Sequence, residues 1–199
     1  MSSDGVNEGR RRFLIGATSA VGAVGAGFAA VPFVQSWQPS AKAKTAGAPV
    51  VADISKLEVG QRMIVEWRGR PVWILRRSPE AMESLKKVEE SLRDPASAES
   101  KQPEYAKNEA RSRQDRSEIL VLTGLCTHLG CSPLYRPEVS PADLGADWVG
   151  GFFCPCHGSK FDLSGRVFKS VPAPLNLEVP PYYFMSDTLI KIGEDGEAA

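Results

Sequence analysis

Phe13 to Val34 runs for 22 residues without an ionisable side chain. As a helix it would rise ~33 Å, about the thickness of a bilayer core, so one spanning helix is predicted. Beyond Trp37 the segment QPSAKAKTAGAPV is small and polar with no apolar period, the pattern of a flexible connector. From Val50 onward the apolar positions fall in short runs. VVADI (50–54), RMIVEW (62–67), PVWILR (71–76), EILVLTG (118–124), DWVGGFFC (147–154), YYFMS (182–186) and TLIKI (188–192) are each strand-like. Arg68-Gly69-Arg70 makes a hairpin of the second and third, and the last two form a closing hairpin. The pattern predicts an all-β domain of small antiparallel sheets.

One stretch breaks that pattern. Arg76 to Glu118 holds ten bases and ten acids. Ser78-Pro79 opens a helix with Met82, Leu85, Val88 and Leu92 on one broad face, and Asp94-Pro95 stops it. This is a helix and loop inserted between strands, at about 78–117, and its charge density predicts a solvated face. The chain therefore divides into a terminal segment (1–12), a transmembrane helix (13–34), a hinge (35–49) and a β domain (50–199).

Charge adds little for the whole chain and much at its start. Acids and bases balance at 24 each among 199 residues, which excludes nucleic acid as a partner favoured by net charge. Arg10, Arg11 and Arg12 stand directly before the apolar run, which predicts a cytoplasmic N-terminus and places the remainder outside. Arg10 to Leu14 resembles a twin-arginine export signal, with Gly9 where such signals commonly have Ser or Thr. An ordinary secretory signal competes, with Ala41-Lys42-Ala43 as a small-x-small cleavage site, although the apolar run exceeds the ~7–15-residue core of such signals. Disulfides persist in the exported compartment.

All four cysteines and both histidines lie in two hexapeptides, CTHLGC (126–131) and CPCHGS (154–159), separated by 22 residues. Each follows a predicted strand, so two loops can meet tip to tip. Isolated core cysteines and histidines would not cluster in this way. A tetrahedral zinc module with two Cys and two His is a competing reading, and so is a pair of disulfides with bystander histidines. A cysteine nucleophile has little support, because no second catalytic group or phosphate loop accompanies it. Gly150-Gly151-Phe152 precedes no predicted helix and marks a close-packing or bulge site.

C-x-H-x-G-C followed by C-P-C-H-G-S resembles the paired signature of the Rieske 2Fe-2S proteins. The arginine-led anchor, the Ala-rich hinge, Ser164-Gly165-Arg166 and PAPLNLEVP (172–180) extend the resemblance to the Rieske subunit of the cytochrome bc complex. The resemblance implies a Rieske domain whose cluster-binding part occupies about 124–175. One 2Fe-2S cluster is implied, with Cys126 and Cys154 on the inner iron and His128 and His157 on the outer one. Two His in place of two Cys on one iron is general to Rieske centres. Cys131 and Cys156 are the implied disulfide. The resemblance implies that Ser159 donates to a bridging sulfide, against a serine that only satisfies its turn; that Leu129 is the apolar lid at the quinol site, against a core residue; and that Pro172-Ala173-Pro174 is a third loop over the cluster, against a stiff turn.

The implied function is electron transfer from quinol at a cytochrome b site to a c-type cytochrome. His157 contacts quinol and takes its proton, contributing to a proton gradient across a bacterial inner membrane, with the domain on the periplasmic side. Cytochrome b, a c-type cytochrome, membrane lipid and a dimeric complex are the implied partners. Two ferric ions, two sulfides and two thiolates are formally neutral, whereas four thiolates leave two negative charges. Rieske centres accordingly lie at roughly −150 to +300 mV against about −400 mV for plant-type ferredoxins. A Rieske subunit of another exported oxidoreductase, of the arsenite-oxidase type, is the nearest alternative. Two positions depart from the pattern: Phe161 stands where many members have Tyr, and Ser170-Val171 replaces a Gly before the third loop.

Overall fold

The structure is a computed structural model, and it describes residues 5, 7–45 and 47–196. Two units emerge, up to Thr45 and from Ala46. The first is helical. Helix α1 (Glu8–Ser36) takes in the arginine triplet and the whole apolar run. The Asn7 side chain accepts the Arg10 N–H at 3.1 Å and caps its start. Phe13, Val21, Phe28 and Phe33 are exposed, and 29 residues of this composition are long and apolar enough to cross a membrane. A five-residue helix α2 (Ala41–Thr45) lies within the segment expected to be a connector. Ala46 and the terminal 197–199 fall outside the described residues.

The second unit is built from three three-stranded antiparallel sheets. Strand β1 (Val50–Asp53) belongs to the first of them, and β2 (Arg62–Trp67) and β3 (Arg70–Arg76) to the second. Arg68 and Gly69, at φ 53° and 68°, turn the hairpin between β2 and β3, as a tight two-residue connection with positive φ at both positions does. Helix α3 (Pro79–Lys87) follows, capped by the Ser78 hydroxyl accepting from the Ala81 N–H at 3.2 Å. Strand β4 (Ile119–Thr123) completes the β2–β3 sheet, and all five of its residues are buried. Strands β5 (Leu134–Arg136), β6 (Gly151–Phe153) and β7 (Lys160–Phe161) form a small sheet of their own. Strands β8 (Tyr182–Phe184) and β9 (Leu189–Ile192) close the first sheet against β1.

A single apolar cluster joins the sheets, and Cys126 and Cys154 belong to it beside Trp73, Phe152 and Phe161. Trp73 stacks on Phe152 at 5.2 Å between ring centres. A Cβ at Gly151 would sit 2.0 Å from the Phe161 carbonyl oxygen, so the close packing expected at Gly150–Phe152 is a strand-to-strand approach that only glycine permits. Seven strands match the sequence pattern. β5 and β7 were not foreseen, because runs of three and two residues carry no readable period.

The insertion differs more. Leu85, Val88 and Leu92 are buried as expected, but α3 ends at Lys87 and a 3-10 turn at Glu89–Ser91 continues the chain. The insertion's charges are not all solvated: Arg77, Asp94 and Arg111 are buried. Each is held by specific partners. Arg77 Nη1 donates to Ser164 Oγ at 2.7 Å, and Arg111 Nη1 to the carbonyls of Ser164 and Gly165, both at 3.3 Å. Burial pushes both guanidiniums down to about 10, opposed by the buried Asp162 carboxylate. Hydrogen-bonded pairing of this kind is what allows a charge inside, and periodicity cannot reveal it.

Candidate metal centre

The two hexapeptides fold as near copies. In the first, Cys126 N–H donates to Cys131 O at 2.7 Å and Gly130 N–H to Cys126 O at 2.9 Å. In the second, Cys154 N–H donates to Ser159 O at 2.8 Å and Gly158 N–H to Cys154 O at 2.9 Å. Gly130 and Gly158 hold φ of 80° and 76°, a left-handed conformation that costs other residues ~1–2 kcal/mol. A glycine four residues after each leading cysteine is thus the local reason both loops close alike. That repeat is visible in the sequence, though the cysteines and histidines draw attention away from it.

The fold brings the six side chains together. Cys126 and Cys154 are buried free thiols. Cys131 and Cys156 form a disulfide across 6.7 Å between Cα atoms, joining the two loops. The sulfurs of Cys131, Cys154 and Cys156 lie within 4.8 Å of one another, so this trio is a disulfide packed against a ligand-capable thiol. The His128 and His157 rings meet edge to face at 4.8 Å. His157 is exposed and His128 half-buried. Leu129, between His128 and Gly130, is 72% exposed, which removes the alternative that it is a core residue.

This donor set fits a metal cluster. Burial pushes the Cys126 thiol up; the His128 N–H pulls it back by donating to sulfur, Cys154 raises it again, and the Ser159 hydroxyl lowers it. A buried thiol whose ionisation is opposed by burial and by its neighbour becomes a stable thiolate when a cation lies beside it. The His128 Nδ1 atom is buried and has no hydrogen-bond partner among the described residues, as expected of a nitrogen reserved for a metal.

A third segment covers the site. Ser159, fully buried, accepts the Ala173 N–H on its Oγ at 3.0 Å, and Thr127 Oγ1 donates to Leu175 O at 2.6 Å. Residues 170–175 therefore strap both loops. Ser170 takes φ 59°, the left-handed conformation that suits the glycine it replaces. Thr127 and the Ala173 N–H were not foreseen in the sequence, since a backbone donor has no residue signature.

Comparison with known proteins agrees with this geometry. Residues 1–40 match a family described as "Ubiquitinol-cytochrome C reductase Fe-S subunit TAT signal", and residues 100–181 match the "Rieske [2Fe-2S] domain". The chain is 59% identical over 199 residues to the ubiquinol-cytochrome c reductase iron-sulfur subunit of Allochromatium vinosum, covering 100% of this chain and 95% of that one. It is 44% identical over 192 residues to the same subunit of Blastochloris viridis, covering 96% and 97%. A solved structure titled "Hyperthermophilic respiratory Complex III" is similar at 26% identity and a TM-score of 0.47, over 89% of this chain and 98% of that one. The fold is a Rieske fold, the cofactor is a 2Fe-2S cluster, and the N-terminal segment carries an export signal. Since this likeness runs the full length of the chain, it belongs to the family of ubiquinol-cytochrome c reductase iron-sulfur subunits, components of an oxidoreductase complex.

Proposed function

We propose that Cys126 and Cys154 hold one iron from the core side while His128 and His157 hold the other at the tip, and that the head carries electrons from quinol to a c-type cytochrome. The observation that carries this reading is the segregation of donors: two buried thiols below and two abutting imidazoles above, His157 facing outward. When bound, the cluster supplies one-electron redox chemistry at a potential high enough to oxidise quinol. The residues do the rest. Cys126 and Cys154 sit in the apolar cluster and exclude water from that side. The Cys131–Cys156 disulfide fixes the distance between the loops. His157 accepts a hydrogen bond from the quinol hydroxyl on the imidazole nitrogen that does not hold iron, and then takes its proton there. Leu129 supplies an apolar contact beside it.

In this reading α1 spans the bacterial inner membrane among lipid, with the N-terminus cytoplasmic and the head periplasmic, as the arginine triplet favours. Cytochrome b and a c-type cytochrome are the protein partners, within a dimeric complex. Residues 35–49 are the hinge that lets one head visit both. The test is the pH dependence of quinol oxidation by the assembled complex. The rate rises with pH if a deprotonated His157 must accept the proton, and a flat profile contradicts that role.

A further inference from the structure

The insertion between β3 and β4 has no part in holding the cluster, yet the chain at the end of its Glu89–Ser91 turn grips the segment that leads into the strap over the site. Ser91 O accepts the Lys169 N–H at 2.8 Å, and the Arg93 N–H donates to Val167 O at 2.9 Å. Leu92 and Phe168 form an antiparallel bridge between these two bonds. The Arg93 guanidinium then reaches along the strap: Nη1 donates to Pro174 O and Nη2 to Val171 O, each at 3.3 Å. Ala173 lies between those carbonyls in the chain, and its N–H is the donor to Ser159 Oγ at 3.0 Å.

A serine hydroxyl has one proton and rotates to suit its neighbours. With Oγ receiving the Ala173 N–H, the proton is directed away from the strap. Ser159 is fully buried, so no bulk water competes with the amide while the strap is in place. We infer that Arg93 is a positioning residue: by clamping Val171 and Pro174 it holds the Ala173 N–H on Ser159 and so fixes where the serine proton points, toward the sulfur atoms of the metal centre. The inference rests on the proposed ligand assignment and gives the insertion a task in tuning that centre. Reduction makes the centre more negative, so a proton aimed at sulfur stabilises the reduced form.

The test uses the assembled complex in its membrane with Arg93→Leu, Ser159→Ala and the double variant. Arg93 is exposed, so its loss leaves the fold and the iron content in place. In Arg93→Leu, amide hydrogen exchange across residues 170–175 speeds up and the midpoint potential of the cluster shifts downward. Ser159→Ala also shifts it downward, and the double variant has the midpoint of Ser159→Ala alone. An unmoved midpoint in Arg93→Leu overturns the inference. So does a shift of equal size with serine or alanine at 159, which would be the effect of a lost surface charge. A loss of cluster iron in Arg93→Leu would make Arg93 a scaffold residue and overturns it too. An unmoved midpoint in Ser159→Ala overturns it as well, whereas a reduced centre without coupling to two imidazole nitrogens overturns the ligand assignment on which the inference rests, so the two failures are separately visible.

Discussion

Phe161 is fully buried, paired across the small sheet with Phe152 and bridged to Val167. A tyrosine there is the residue that the Rieske resemblance associates with a hydroxyl donor to a ligand sulfur, and phenylalanine cannot donate. A net hydrogen bond contributes ~1 kcal/mol, and about 1.4 kcal/mol corresponds to 59 mV for a one-electron couple. Phe161→Tyr is therefore expected to raise the midpoint by tens of millivolts in a potentiometric titration, and an unchanged value contradicts the assignment. The same scale shows why the site was legible in sequence and the bonds that support it were not. Cysteine and histidine announce metal chemistry by type and spacing. The burial of Ser159, the Ala173 N–H and the clamp by Arg93 depend on partners 14 and about 80 residues away.

At the scale of elements, the insertion is attached through a buried polar knot. Asp94 accepts from the N–H groups of Ala98, Glu99 and Ser100 and from Ser100 Oγ. Asn176 donates to Asp94 O at 2.9 Å and to Ser97 Oγ at 3.0 Å, and accepts the Val167 N–H at 2.8 Å. Burial pushes the Asp94 carboxyl up, but these donors together hold it below the ordinary value of 3.8. A depressed carboxyl contributes stability that is present above its unfolded pKa and lost as pH falls through the folded one. Asp94→Asn is expected to cost ~1–3 kcal/mol near neutral pH, with the gap from wild type closing below about pH 4. Urea unfolding of both proteins across that range checks it, and a gap independent of pH contradicts it. The strands and the start of α3 follow from apolar alternation and the Ser78-Pro79 opening. The knot does not, because a charge run looks the same whether its members are solvated or paired inside.

For the whole molecule, one apolar helix and one β unit are joined through residues that include α2 (Ala41–Thr45). If the head must move between an electron donor and an acceptor, the tether's freedom limits turnover while the cluster's surroundings stay the same. Ala43→Pro with Ala48→Pro is expected to slow steady-state turnover, because proline stiffens a linker, with an unaltered visible spectrum. Turnover equal to wild type contradicts a mobile head. The proposed electron transfer depends on two thiolates and two imidazoles sharing one cluster. The most direct measurement is the low-temperature pulsed electron paramagnetic resonance spectrum of the reduced protein. The account predicts one paramagnetic centre coupled to nitrogens of two imidazoles, with one set of couplings lost and the centre altered when either His128 or His157 is replaced. A colourless, zinc-loaded protein with no reducible signal, or a centre without nitrogen coupling, would contradict it.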